Sequence, residues 1–404
     1  MARVCIHTLE PLQHGGVMAK VRVVGEMLRA SGHNPNLMYT ATDQVPSGNW
    51  VAKIRYLLTH ARPYTTEFEN YQGVAFPYWP FPIWATYFFP WLWMNDPRYK
   101  FPMQVVVSGA AQCGLPVALT GQRYIVWIST MYEDELAGRA LAGDAWAAKT
   151  GTGISARLLQ YEEKLVIENA TMVIANGDYI AEKIVDRFPS VAGKIRTVVY
   201  PVDTDLFRPK RAYKEQVKTD SYLLFTGRIN DPRKNLPMLF KAFARVLAEL
   251  PDVRLVLTGD EPEDYLLKDA SEAGVVSNVD FVGRQTEQQL VELYQGAEVF
   301  VLSSNQEGLG ISVLEAMACG VPVVSTNCGG PENIVVDGTS GFLVDLNDDY
   351  HMAKNITRLL KDSHLRDRFS DNCVRLARDY FGREAMTKLL HKAFHDVYPE
   401  YFSV

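Results

Sequence analysis

The amino-acid sequence predicts an α/β protein of two domains, each a parallel β-sheet covered by helices. Three observations carry this. Short apolar, β-branched runs recur between helical patterns along the whole chain, the alternation that βαβ units produce. At 404 residues the chain is long for one domain and suits two. No repeat of solenoid period and no low-complexity tract breaks the pattern. The expectation is a pair of Rossmann-like domains, with ligands at the carboxyl ends of their strands.

The elements follow in order. Met1-Ala2-Arg3-Val4-Cys5-Ile6-His7 is too short for a signal peptide and reads as a first strand. Gln13-His14-Gly15-Gly16-Val17 leads into a helix over Val17–Ala30, closed by Ser31-Gly32. Two glycines between strand and helix let an anion approach the backbone. That marks Gly15, Gly16 and Val17 as ligand contacts; a plain strand-to-helix turn is the alternative. Phe76–Trp93 holds ten aromatics, and no charge falls between Glu69 and Asp96. Prolines at 77, 80, 82 and 90 exclude one long helix there. Such a patch either docks on a membrane interface or apolar acceptor, or packs as an aromatic core around a short helix between Ile83 and Trp93.

Val105–Val107, Tyr124–Trp127 and Met172–Ala175 read as further strands. After the second of these comes Ser129-Thr130-Met131-Tyr132-Glu133-Asp134-Glu135. Its acidic triplet opens a helix, where the dipole favours it, or binds an acceptor; Ser129 and Asp134, with His14, are the acceptor-side candidates. Tyr200–Pro209, with two prolines, marks a boundary. The expected division is 1–200, a linker at 201–212, a second domain at 213–382 and a terminal helix at 383–404.

In the second domain Tyr222–Phe225, Arg254–Leu257 and Val299–Leu302 read as strands. Phe225-Thr226-Gly227-Arg228-Ile229-Asn230-Asp231-Pro232-Arg233-Lys234-Asn235-Leu236 reads as strand, loop and the start of a helix. Arg228 offers a hydrogen-bonding fork and Lys234 a point charge, a natural pair for a pyrophosphate, although most such cations are merely solvated. Asn305-Gln306-Glu307-Gly308-Leu309-Gly310-Ile311-Ser312-Val313-Leu314-Glu315-Ala316-Met317-Ala318-Cys319-Gly320 reads as loop, helix and turn, followed by a strand that Pro322 opens. Glu307 falls just before the helix and Glu315 about two turns inside. The free amides of a helix N-terminus favour an anion, and a carboxylate can accept two hydrogen bonds from a diol such as a ribose.

The stretch from Glu307 to Val324, with Gly329-Gly330-Pro331-Glu332-Asn333-Ile334-Val335 and Gly338-Thr339-Ser340-Gly341-Phe342-Leu343-Val344 after it, resembles the signature of retaining GT-B glycosyltransferases, in particular glycosyltransferase family 4 (glycosyl transferases group 1). The Gly227-Arg228…Lys234-Asn235 loop and the Gly15-Gly16…Gly32-His33 helix are similar to two further patterns of that family. The resemblance implies two domains facing a central cleft, with the last helix crossing back to the first domain. It implies transfer of a sugar, with retained configuration, from a nucleoside diphosphate sugar to an acceptor hydroxyl. A UDP-sugar is expected before a GDP-sugar. No cofactor or metal is required, because Arg228 and Lys234 neutralise the leaving diphosphate.

By the same resemblance Glu307, Arg228 and Lys234 are catalytic. The donor is held by Gly15, Gly16, Val17, Gly227, Arg228, Lys234, Gly259, Arg284, Glu307, Gly308, Leu309, Gly310, Ile311 and Glu315. Glu307 touches the sugar, Glu315 the ribose, and Arg284 lies beside the base. The family usually carries a histidine after the Tyr124–Trp127 strand, near the sixth carbon of the donor sugar. Here no histidine lies between Tyr124 and Asp134. Ile128 or a neighbour is expected in its place, which favours a 6-deoxy or pentose donor. The alternatives are a GT-B epimerase, a phosphorylase, or a non-catalytic sugar-nucleotide-binding protein.

The remaining features bound the function. A net charge of −6 gives no footprint for nucleic acid. Asp203-Thr204-Asp205 spells a metal-binding D-x-D, but within the linker pattern. Cys5, Cys113, Cys319, Cys328 and Cys373 form no C-x-x-C pair, which fits a reducing compartment rather than zinc or a disulfide framework. No apolar run is long enough to span a membrane. The expected location is cytoplasmic, peripheral at the inner face of the membrane if the aromatic patch faces outward. The acceptor is a small molecule, a glycan or a lipid-linked sugar.

Overall fold

The computed structural model of the chain describes residues 2–11, 16–41, 51, 55–56, 62–77, 83–141, 148–149, 151–210 and 221–402. The chain divides into two compact units, Met1–Val198 together with Thr387–Val404, and Val199–Met386.

The first unit is built on eight strands: β1 (Arg3–His7), β2 (Asn34–Ala41), β3 (Tyr64–Phe68), β4 (Tyr71–Pro77), β5 (Met103–Val107), β6 (Ile125–Ile128), β7 (Met172–Ala175) and β8 (Ile195–Thr197). Their order in the sheet is β3-β4-β2-β1-β5-β6-β7-β8. Only β3 runs antiparallel, paired with β4 across a turn in which Glu69 takes a φ of 51°. Winding outward from β1, the chain goes one way through β2 and β4, then returns to start β5 on the other side of β1. The sheet therefore has a switch point between β1 and β5, where loops diverge and a crevice opens at the carboxyl ends.

Every residue of β5, β6 and β7 is buried, because central parallel strands are covered on both faces. Ile128, the last residue of β6, is fully buried in the hydrophobic core. The acidic triplet falls in the first turn of the helix Tyr132–Leu141, where Asp134 pairs with Lys183 at 2.7 Å and Glu133 with Arg187.

The aromatic stretch divides between the two readings. Residues 78–82 lie outside the described residues. Phe76 is buried against Tyr99 and Trp93, at ring separations of 5.9 and 6.1 Å, while Trp84 and Tyr87 pack on Tyr132, Leu136 and Leu159. Two short helices, Ile83–Phe88 and Trp91–Met94, follow one another with Pro90 between them. Along them Phe88 and Leu92 remain on the surface, at 36% and 54% exposure. The stretch is core on one side and an apolar surface on the other.

The helix Arg383–Val397 leads into a tail that seals this unit. Phe394, Tyr398 and Phe402 are buried. The Tyr398 hydroxyl donates toward the Gln104 and Arg123 carbonyls, each at 2.9 Å, and accepts from the Gln104 amide at 3.0 Å. A fully buried phenol satisfied this way is stabilising, since leaving it unpaired would cost about 1–3 kcal/mol.

The second unit is a six-stranded parallel sheet of β9 (Tyr222–Thr226), β10 (Arg254–Thr258), β11 (Val279–Gly283), β12 (Val299–Leu302), β13 (Val323–Thr326) and β14 (Gly341–Val344). The order β11-β10-β9-β12-β13-β14 is that of a Rossmann domain, with its switch point between β9 and β12. Strands expected from the apolar runs appear within a residue or two of their predicted ends. Asp203, of the D-x-D triplet, is occupied structurally: its carboxylate accepts from the Asp205 and Leu206 amides and pairs with Arg383 at 2.8 Å.

Candidate functional site

The loops after β9 and β12 meet at the switch point of the second sheet. The first runs Gly227–Asn235 and then enters the helix Leu236–Glu249. The second runs Ser303–Gly310 and then enters the helix Ile311–Ala318. They are knit together by the Asn305 amide donating to the Arg233 carbonyl at 2.7 Å and by the Ser303 hydroxyl donating to the Lys234 carbonyl at 2.7 Å. Two glycines are required by close approach. A Cβ on Gly259 would meet the Gly227 carbonyl oxygen at 1.9 Å, and one on Gly330 would meet the Leu309 backbone at 2.3 Å.

Where these loops join, the Lys234 ammonium lies 2.5 Å from Glu307 Oε1, and the Ser304 hydroxyl donates to that same oxygen at 2.7 Å. Both charged side chains are 15% exposed, so the pair is screened less than a surface ion pair. Glu307 is held from its backbone too: its amide donates to the Cys328 carbonyl and its carbonyl accepts from the Gly330 amide. Thus the Gly329-Gly330 turn after β13 fixes the loop that carries the glutamate.

Arg228 reaches Asp231 at 3.1 Å but is mostly exposed, with 68% of its side chain open, whereas Arg233 grips the same carboxylate at 2.6 Å and is 18% exposed. Burial would raise the Asp231 pKa, but the hydrogen bonds and charge of Arg233 outweigh it and hold the carboxyl below its ordinary range. Asp231 is therefore an anion that organises two cations on one loop. Arg233 is spent in that pairing; Arg228 presents its guanidinium outward.

Glu315 is the fifth residue of its helix, slightly more than one turn in rather than two, because the helix begins at Ile311. Its Oε2 accepts from the Tyr294 hydroxyl at 2.8 Å, and that hydroxyl is 2.7 Å from Thr226 Oγ1 at the end of β9. Burial pushes the Glu315 carboxyl up to about 7, while the Tyr294 hydrogen bond pulls it down. Burial also raises the Tyr294 phenol well above its ordinary range, so the phenol is the donor. Arg284 stands apart on the loop after β11, 83% exposed and paired with Asp260 at 2.6 Å.

Residues 207–374 match the family model described as Glycosyl transferases group 1. This segment is a Glycosyl transferases group 1 domain. It contains all of β9–β14 and both meeting loops.

Among curated proteins, D-inositol 3-phosphate glycosyltransferase 2 from Catenulispora acidiphila is 34% identical over 227 residues, 52% of this chain and 53% of that protein. Spore coat protein SA of Bacillus subtilis is 28% identical over 58% of this chain and 67% of that protein. The match spans about half the length of the first relative. Among solved structures, sucrose-phosphate synthase from Thermosynechococcus elongatus superposes with a TM-score of 0.72 at 20% identity, over 99% of this chain and 100% of that one. Anabaena Alr3699/HepE in complex with UDP and glucose superposes with 0.72 at 16%, over 98% and 100%. The fold is GT-B.

Within the group 1 domain the structure brings together Gly227, Lys234, Glu307, Gly308, Leu309, Gly310 and Ile311, places Arg228 on the rim of the same loop, and sets Glu315 on the helix that follows. Gly259 lies against Gly227. In the first unit, Gly16 and Val17 open the helix Gly16–Ala30, while His14 and Gly15 lie outside the described residues. Ser129 is half-buried and accepts from Lys20 at 2.6 Å. Sequence reasoning missed Asp231, Arg233, Tyr294 and Ser304. The first two stood inside a motif already singled out. No motif in the sequence singles out Tyr294, whose hydroxyl partner Glu315 is 21 residues away in the chain.

Proposed function

We infer that the protein is a retaining glycosyltransferase that moves a sugar from a nucleoside diphosphate sugar to an acceptor hydroxyl without a metal ion. The observation that carries this is the Lys234–Glu307 pair, held at a Rossmann switch point with Arg228 on the same loop and Glu315 one helix turn away. Together they supply two cations for a diphosphate and two carboxylates for hydroxyl-bearing rings. UDP and glucose in Alr3699/HepE, and the glycosyltransferase names of the curated relatives, support the same reading.

In this mechanism the bond between the anomeric carbon and the diphosphate oxygen breaks as charge develops on the leaving group. Arg228, Lys234 and the first amides of the helix Ile311–Ala318 stabilise that charge without reorganising. The acceptor oxygen bonds to the anomeric carbon on the face the diphosphate leaves, and its proton passes to the departing phosphate. Glu307 orients the sugar and fixes Lys234, while Glu315 accepts hydrogen bonds from the ribose. The donor is a UDP-sugar in preference to a GDP-sugar. Arg284 lies beside the base, and Gly15, Gly16 and Val17 lend backbone to the substrate. His14, Ser129 and Asp134 belong to the acceptor side.

Among the described residues no helix is long and apolar enough to cross a membrane. All five cysteines are free thiols, in keeping with a cytoplasmic protein. The Phe88–Leu92 surface supplies a peripheral contact with the inner membrane face.

A thermal-shift screen with UDP, GDP, ADP and dTDP tests the donor class, since a ligand at a hundredfold its dissociation constant adds about 2.7 kcal/mol. UDP should give the largest shift. Transfer from the matching sugar nucleotide should survive EDTA. No stabilisation by any of the four, or activity lost to EDTA and restored by magnesium or manganese, would sink the proposal.

A further inference from the structure

The run 329–335, singled out in the sequence, gives no side chain to the mechanism above. Within it Glu332 is exposed on the short 3-10 helix Pro331–Asn333, yet its carboxylate reaches back into the fold. Its Oε2 accepts from the Gly329 amide at 2.7 Å. Gly329 is buried, and leaving a buried amide unpaired costs about 1–3 kcal/mol. Beside it the Asn333 carboxamide donates to the Gly329 carbonyl at 3.0 Å and to the Gly330 carbonyl at 3.3 Å. Two neighbouring side chains therefore grip one turn, Glu332 by its N–H and Asn333 by its carbonyls.

That turn holds Glu307 on both sides of its backbone. The Glu307 amide donates to the Cys328 carbonyl at 2.9 Å, and the Gly330 amide donates to the Glu307 carbonyl at 3.0 Å. Gly329 lies between these two partners and faces Glu307 across an isolated parallel bridge. At the far end of this linkage Glu307 Oε1 accepts from both the Lys234 ammonium at 2.5 Å and the Ser304 hydroxyl at 2.7 Å. Among the described residues Oε2 accepts from no other side chain. One oxygen fixes the carboxylate and the other is open, so the direction of Oε2 depends on where the Glu307 backbone stands.

A carboxylate that reaches back three residues to an amide also steadies the start of the helix that follows it. Stability alone would be its role if the gripped residue touched nothing else. Here the gripped residue sits between the two that carry Glu307. Without the carboxylate the Gly329 amide must find another acceptor, and the turn shifts to let it. Reactions held in one geometry are sensitive to such shifts: a misplacement of about 1 Å costs up to ~100-fold in rate.

From this we propose that Glu332 is a positioning residue: through Gly329 it sets the backbone of Glu307, and with it the Lys234–Glu307 pair, so that Oε2 is aimed at the donor sugar. Its partner is a neutral amide, so the working element is an accepted hydrogen bond rather than a charge. A glutamine at this position keeps an acceptor oxygen of the same reach, whereas an alanine keeps none. That Oε2 meets a sugar rests on the glycosyltransferase reading; the placement of the pair by Glu332 does not.

The test is NMR on the full chain with 13C at lysine Cε, joined to turnover. The Lys234 resonance is assigned by its loss in Lys234→Arg, and Glu307→Gln marks its position once the ion pair is gone. Glu332→Ala should move the resonance toward that position, and Glu332→Gln should return it to the wild-type one. The Lys361 ammonium, paired with Glu249 at 2.6 Å in the same domain, should keep its resonance throughout. With a set of UDP-sugars that includes UDP-glucose, Glu332→Ala should release UDP with a kcat ~10-fold lower, and Glu332→Gln should restore it. A Lys234 resonance unmoved in Glu332→Ala, whatever the loss in melting temperature, leaves Glu332 a structural cap and overturns the proposal. So does a shift shared equally by Lys361, or a Glu332→Gln protein as impaired as Glu332→Ala. If Glu332→Ala does not fold, Glu332→Asp, one methylene shorter, replaces it with the same expected outcomes. If the wild type turns over none of the UDP-sugars, the glycosyltransferase reading fails, and the Lys234 resonance still decides on Glu332.

Discussion

Replacing Tyr294 by Phe removes one oxygen from the core of the group 1 domain and should cost nucleotide affinity beyond any loss of stability. In the structure that oxygen links Thr226 at 2.7 Å to Glu315 at 2.8 Å. Without it the Glu315 carboxylate loses its donor and is free to leave the rotamer that the phenol holds. A hydrogen bond to a charged group contributes about 1.5–3 kcal/mol, or roughly 10- to 150-fold in a dissociation constant. Part of that returns if a water replaces the phenol, so ~10-fold is the working expectation.

Deletion should also raise the Glu315 pKa further, because the Tyr294 bond is what lowers it against burial. The mutant would then lose affinity at a higher pH than the wild type as pH falls. Calorimetric titration with UDP and 2′-deoxy-UDP provides the assay. Wild type should prefer UDP, and Tyr294→Phe should narrow that preference, since the contact weakened is the one proposed to the ribose diol. Unchanged UDP affinity in a folded Tyr294→Phe protein, or an undiminished preference for UDP, would refute the coupling of Tyr294 to Glu315.

Three further outcomes are expected. Glu307→Ala and Lys234→Ala should each lower turnover by ~10²-fold or more; near-normal rates in both would remove the pair from the mechanism. Phe88→Ser with Leu92→Ser should abolish binding to anionic lipid vesicles without loss of soluble protein, measured by co-sedimentation; Trp93 is unsuitable for this test because it packs on Phe76. If wild-type protein does not sediment with vesicles, that surface has another role. Finally, Glu162 is buried and pushed up to about 9. A carboxyl raised above its unfolded value stabilises fully below that unfolded value, and the contribution is lost as pH rises through the folded one. Stability should therefore fall between about pH 5 and 9, and Glu162→Gln should flatten the slope in urea titrations; an unchanged slope would mean that the carboxyl ionises freely in the fold.

The sequence by itself determined the α/β class, most strands of both sheets and the two loops that meet at the proposed donor site. Central parallel strands are covered on both faces and so are predominantly apolar, which makes them legible as short runs. The loops were legible because glycines at close approaches and cations beside a helix start are local features: Gly227 to Lys234 and Glu307 to Gly310 are each contiguous in the chain.

What only the tertiary structure decided is which side chains face one another. Lys234 and Glu307 are 73 residues apart, and Lys20 and Ser129 are 109 apart. No spacing rule pairs them; the strand order does, by bringing the ends of β9 and β12, or of β1, β5 and β6, to one edge. The same holds for Ile128. Its sequence position after an apolar run gave no sign of which way the side chain turns, and burial on both faces of β6 placed it in the core. The polar group at that strand end is instead Ser129, held by a lysine that the sequence shows only as one residue in a helix.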